Sequence, residues 1–149
     1  MRKPGIIRSR SMRSARMGKR LASLALLGLA AAMPAPLDGL GGDPARGRAV
    51  VTRQSSTCTL CHAGPFPNPH LQGNIGPDLH GVGARLDAAG LRGQLVDPAA
   101  ANPGTVMPSF YRTEGLRRVG PAWQGRPILT AQEIEDAVAY LATLRDPAP

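Results

Sequence analysis

The chain has 149 residues, 18 of them basic and 10 acidic, a formal charge of +8 and two cysteines. Two cysteines exclude a disulfide framework and a four-cysteine zinc site, and the excess of positive charge invites a nucleic-acid reading. Its distribution excludes that reading: Arg2, Lys3, Arg8, Arg10, Arg13, Arg16, Lys19 and Arg20 all precede Leu21, and from Leu21 onward ten basic residues meet ten acidic ones.

The basic stretch belongs to a targeting pattern. Residues 1–20 read as an n-region, Leu21 to Met33 as a short apolar h-region, and Ala30-Ala31-Ala32 as an A-x-A cleavage site. A secretory signal peptide is therefore expected over 1–32, with Ala35 as the latest alternative cut and Met12 or Met17 as alternative starts. Thirteen apolar residues fall short of the roughly twenty that span a bilayer, and Pro34 and Pro36 stop any extension. The mature chain is expected in the periplasm, without a membrane span. Residues 33–42 read as a flexible linker, 43–145 as one domain and 146–149 as a frayed tail.

Asp43-Pro44 marks a helix start, a capping carboxylate before proline at the first helical position. That helix runs through Val51 and ends before Cys58. Asn68 to Gly76 is a Pro/Gly/Asn-rich loop. Asp87 caps a second helix, Ala88 to Val96, stopped by Asp97-Pro98. Pro103 to Gly125 reads as an extended loop. Thr130 and Glu133 form a capping box that opens the clearest helix, Ala131 to Leu144, with Ile134, Val138, Leu141 and Leu144 on its apolar face. No strand is expected, so the class is all-α with long Pro/Gly loops.

Chemistry concentrates at Cys58-Thr-Leu-Cys61-His62, one contiguous C-x-x-C-H. Two thiols at this spacing can each form a thioether to a haem vinyl group, and the adjacent imidazole can bind iron. A thioredoxin-like pair would follow a strand, and no β-rich run precedes Cys58. A zinc site needs four ligands, and only His70 and His80 lie nearby. The motif thus predicts one covalently bound haem c. A buried haem would also supply the apolar bulk that two Phe, two Tyr and one Trp do not.

For the iron face opposite His62, Met107 is the one methionine inside the domain, in Thr105-Val106-Met107-Pro108; His70 and His80 are the alternatives. Phe110 and Tyr111 are expected to pack on haem, with a partner-facing position as the alternative, and Trp123 to lie in the core or the haem-pocket wall. No nucleophile–base constellation appears: Ser55, Ser56 and Thr57 lack a base at defined spacing, and Asp78 and Glu114 lack a carboxylate partner.

Cys58-x-x-Cys61-His62, Gly76-Pro77-Asp78-Leu79-His80-Gly81, Met107-Pro108 and a last helix with Tyr140-Leu141 together resemble class I cytochrome c. The resemblance implies three or more helices wrapped around one haem. It implies that the Pro77 carbonyl accepts the ring N–H of His62, that Arg85 lies near a propionate, and that the first and last helices cross at Gly47 and Tyr140. More narrowly, Gly73 to Arg85, Asn102 to Tyr111, Gly115 to Val119, Gly125 to Ala131 and Glu135 to Leu141 resemble the SoxX family, small monohaem subunits of the SoxAX cytochromes of sulfur oxidation. That likeness implies a heterodimer with a SoxA-like cytochrome, which links thiosulfate to a cysteine of a SoxYZ carrier. This chain would receive the electrons and pass them to a soluble cytochrome. A stand-alone periplasmic electron carrier is the alternative, and a haem enzyme or gas sensor in which Met107 leaves the iron is a third reading.

Overall fold

The structure, a computed structural model, describes residues 35–148; the expected signal peptide lies outside them. Among the described residues there are six helices and no strand: α1 (Pro44–Thr52), α2 (Cys58–Cys61), α3 (Val82–Arg85), α4 (Ala88–Val96), α5 (Pro98–Ala101) and α6 (Ala131–Thr143). Single 3-10 turns lie at Leu37–Gly39, Gln54–Ser56, Pro69–Leu71 and Pro121–Trp123.

Local capping sets the three longer helices. The Asp43 carboxylate accepts the N–H groups of Ala45 and Arg46 at 2.8 and 2.9 Å, satisfying donors that no preceding turn can. Asp87 does the same for Gly90 at 2.8 Å. Thr130 and Glu133 close both arms of their capping box. Pro98 ends α4 and, at the first position of α5, begins the next turn, so the expected stop is also a start.

α6 is the central element and packs against α1, α3, α4 and the Leu37–Gly39 turn. Ile134, Val138 and Leu141 are buried, as periodicity predicts, with Ala137 beside them, whereas Leu144, expected on the same face, follows the helix end at Thr143 and is only partly buried. Glu135 and Asp136 are buried too, because neighbours cover the helix on more than its apolar stripe. Each has a cationic partner. Arg92, on α4, meets Glu135 through two bonds of 2.6 and 2.7 Å, and Glu135 also accepts Leu37 N–H at 3.0 Å. Asp136 accepts Arg46 at 2.8 and 2.9 Å and Asp43 N–H at 2.8 Å.

α1 crosses α6 at Gly47. A Cβ there would strike the Asp136 carbonyl and the Tyr140 side chain, so only glycine lets the two backbones come this close. The segment expected as a linker carries the Leu37–Gly39 turn, and Gln132 reaches back to the Gly41 carbonyl at 2.8 Å.

The long loop after α5 is pinned at Phe110. Its N–H donates to Leu95 and its carbonyl accepts Leu129 N–H, both at 2.9 Å, and its ring is buried. Trp123 departs from expectation. It is 54% exposed and lines no part of the central cavity. Its 3-10 turn lies in a Pro/Gly-rich loop, and composition alone did not reveal its exposure.

A candidate haem site around Cys58, Cys61 and His62

α2 is one turn whose approach is fixed from behind. Ser56 is fully buried, and its hydroxyl donates toward the carbonyls of Val50 and Arg53, at 2.6 and 2.8 Å. Thr57 then adopts a left-handed backbone, φ 59°, a conformation β-branched residues rarely hold without support. This bend starts α2 at Cys58, and His62 N–H closes it on the Cys58 carbonyl at 3.0 Å. Sequence reasoning weighed Ser56 and Thr57 only as nucleophiles. Their role here is to aim the motif, and nothing local in the sequence signals it.

The loop carrying Gly76 and Pro77 is laced along this motif. Gly73, Gly76 and Leu79 donate N–H groups to the carbonyls of Thr59, Cys61 and Ala63, at 2.9, 2.8 and 2.8 Å. Any Cβ on Gly76 would run into the His62 imidazole. The Pro77 carbonyl then lies 2.6 Å from His62 Nδ1. A carbonyl only accepts, so Nδ1 carries the proton and Nε2 keeps its lone pair for a metal.

These elements wall a cavity of about 560 Å³. Cys58, Cys61 and His62 contribute to its lining, as does Met107 from the loop after α5; Leu91, Leu95, Leu129 and Leu141 give it an apolar interior. Neither His70 nor His80 lines it. His80 is instead turned to Asp78, its Nδ1 2.7 Å from the carboxylate. The N–H of His80 first, and then its ring, hold the Asp78 carboxyl below its ordinary range. Arg85 lines the cavity edge while donating to the carbonyls of His80 and Asp78, both at 2.6 Å. Ile75 and Val106 stand at the rim, 70% and 81% exposed.

The donor set and the enclosure both fit haem c. Two free thiols, one imidazole with its outer nitrogen available, and one thioether face a single apolar space. Burial pushes the Cys58 thiol up, against the opposing effects of its hydrogen bond with Ser56 and of the Arg53 charge.

The cytochrome c family model matches residues 44–145. The chain belongs to the cytochrome c family. A chain of SoxXA from P. pantotrophus is similar to it at 38% identity with a TM-score of 0.68, over 76% of this chain and 89% of that one. The c-type cytochrome SorU from Sinorhizobium meliloti matches at 24% identity with a TM-score of 0.43, over 69% and 91%. No curated protein matches by sequence. This cytochrome c is SoxX-like, has the all-helical class I fold and carries one covalently bound haem c. Its role is electron transfer. No helix among the described residues is long and apolar enough to cross a membrane.

Proposed function

We propose that this cytochrome is the electron-relay subunit of a SoxAX-type complex that oxidises thiosulfate. The observation that carries the proposal is the 38% identity to SoxXA over most of both chains. In this reading a SoxA-like partner couples thiosulfate to a cysteine of a SoxYZ carrier, a coupling that releases two electrons. The present chain takes them singly and hands them to a soluble cytochrome in the periplasm, to which residues 1–32 direct it. The cytochrome domain spans 43–145.

Haem c supplies reversible one-electron exchange between ferric and ferrous iron. The residues here hold and tune it. Cys58 and Cys61 provide the two thioethers. His62 and Met107 would hold the iron, a reading supported by both lining one cavity that His70 and His80 do not line. The Pro77 carbonyl fixes the His62 tautomer and raises the ring's donor strength. Thioether ligation by Met107 raises the reduction potential, and apolar walls that exclude water act in the same direction. Arg85 stands at the cavity edge, where a propionate would face it. No aspartate or glutamate lines the cavity, so no positioned carboxylate is available there for acid–base chemistry. That favours a relay over bond-making.

The test is reconstitution. The haem-loaded protein should form a stoichiometric complex with the SoxA-like cytochrome of the same organism. It should be reduced by thiosulfate only when that partner and the carrier are both present. Reduction at the same rate without the partner would sink the complex and leave a stand-alone carrier.

A further inference from the structure

From Leu21 onward every basic residue is an arginine, and the fold sorts them into two groups. Arg46, Arg53, Arg92 and Arg112 each meet a carboxylate, at 2.8, 2.6, 2.6 and 3.1 Å. Arg85 and Arg145 donate to backbone carbonyls. Arg48, Arg117, Arg118 and Arg126 have no such side-chain partner among the described residues. Three of these four fall in one loop, which holds a single acid, Glu114.

The same loop shows its apolar groups to solvent. Trp123 is 54% exposed, with Leu116 and Ile128 also exposed. Beside them lies a recess of about 310 Å³, lined by Leu116, Arg118, Val119 and Gln124 among others. None of its lining residues lines the haem cavity. Its backbone is turned by left-handed residues, Gly115, Arg118 and Gly125, at φ 68°, 59° and 66°.

A solitary exposed arginine is merely solvated, and an isolated surface apolar residue is ordinary. Guanidiniums without a carboxylate partner in one loop with an exposed tryptophan match the composition of protein interface centres, where Trp and Arg are enriched. The recess admits a side chain, which a flat lipid surface does not offer. From Leu21 onward and outside the loop, carboxylates outnumber arginines by two, nine against seven, a balance that disfavours a long polyanion such as nucleic acid.

We infer that the 113–128 loop is a second docking surface, separate from the mouth of the haem cavity, for a carboxylate-rich segment of a partner protein. Arg117, Arg118 and Arg126 supply the charge complement, and Trp123 the apolar contact. The inference does not depend on the SoxAX reading, since it rests on this loop alone.

The haem-loaded protein, kept reduced, is titrated with a peptide rich in Glu and Asp and with its Gln/Asn counterpart of equal length. Binding is followed by the indole N–H resonance of Trp123, the chain's single tryptophan. Saturable binding of the acidic peptide alone is expected, weakening as salt rises. The triple variant R117Q/R118Q/R126Q should bind about tenfold more weakly, with a shallower salt dependence. R48Q, which removes the unpaired arginine of α1, should leave binding unchanged. Trp123→Ser, an independent variant, should weaken binding without altering the salt dependence. Far-UV circular dichroism and the haem spectrum report that each variant is folded. Equal affinity in parent and triple variant would overturn the inference, as would equal losses in R48Q and the triple variant. So would binding to phosphatidylcholine–phosphatidylglycerol vesicles with none to the peptide.

Discussion

The carbonyl oxygen of Pro77 lies 2.6 Å from Nδ1 of His62, across fifteen positions of sequence. Gly76, the residue before it, leaves no room between the loop and the imidazole. The two facts are one constraint: the carbonyl reaches the ring because glycine lets the backbone lie against it. Gly76→Ala is therefore expected to displace either the loop or the ring. Overpacking of this kind costs about 1–3 kcal/mol. Thermal unfolding of the haem-loaded protein should show the loss, and the yield of loaded protein should fall with it.

Met107 carries the proposed second axial bond. Met107→Ala should abolish the weak sulfur-to-iron charge-transfer band at the red end of the oxidised spectrum. Met107→His should lower the midpoint potential, because imidazole does not stabilise ferrous iron as thioether does. Persistence of the band in Met107→Ala would transfer the ligand role to another residue.

Gly47 sets the crossing of α1 and α6. Gly47→Val would drive its side chain into the Asp136 carbonyl and Tyr140. The helices must then separate, taking the Arg46–Asp136 contacts with them. A loss of about 2–3 kcal/mol is expected, mostly from overpacking, since the Arg46 side chain is largely exposed and its pair with Asp136 is screened by solvent. Chemical denaturation of parent and variant measures it.

Arg92 and Glu135 form the most enclosed ion pair, 5% and 3% exposed at their side chains. Arg92→Met leaves the Glu135 carboxylate buried without its bidentate partner and should cost about 3–5 kcal/mol. The double variant R92M/E135L removes both charges and should recover much of that loss. A double variant no more stable than Arg92→Met would argue against an ion-pair origin.

Acid should unfold the domain through α6. Burial acts to raise the Glu135 carboxyl, but the Arg92 bonds, the Leu37 N–H and the Arg92 charge outweigh it and leave it below its ordinary range. The Arg46 hydrogen bond, against burial, lowers Asp136. Depressed carboxyls take up fewer protons folded than unfolded, so their contribution is complete above their ordinary values. It is lost as pH falls below about 4 and through the lowered folded values. The melting temperature should stay level near neutrality and drop in acid. Asp136→Asn should be less stable at neutral pH and show a flatter acid limb.

The parts legible in the sequence were those written within a few neighbouring residues. Asp43, Asp87 and Thr130–Glu133 announced α1, α4 and α6 because a cap is a contact across two or three positions. α2, α3 and α5 have four residues each, too few for any period to register. The burial of Glu135 and Asp136 was hidden because their cationic partners lie 43 and 90 positions away. At the site, Cys58, Cys61 and His62 declared themselves by spacing, whereas the approach of Pro77 to His62 came from family resemblance. Trp123 misled because a large aromatic residue in a small domain suggests core, and its place is set by a loop with no periodic signal.

The carboxylate of Asp136 joins to the N–H of Asp43 over 93 positions of chain. A polypeptide emerging from its N-terminal end presents Cys58 and Cys61 early, while the helix that closes over them comes last. Until α6 arrives, α1 lacks its main packing partner and the cavity lacks the wall that Leu129 and Leu141 supply. The enclosure of both thiols thus depends on a helix far downstream of them, so the motif that offers the thiols does not by itself build the space they face.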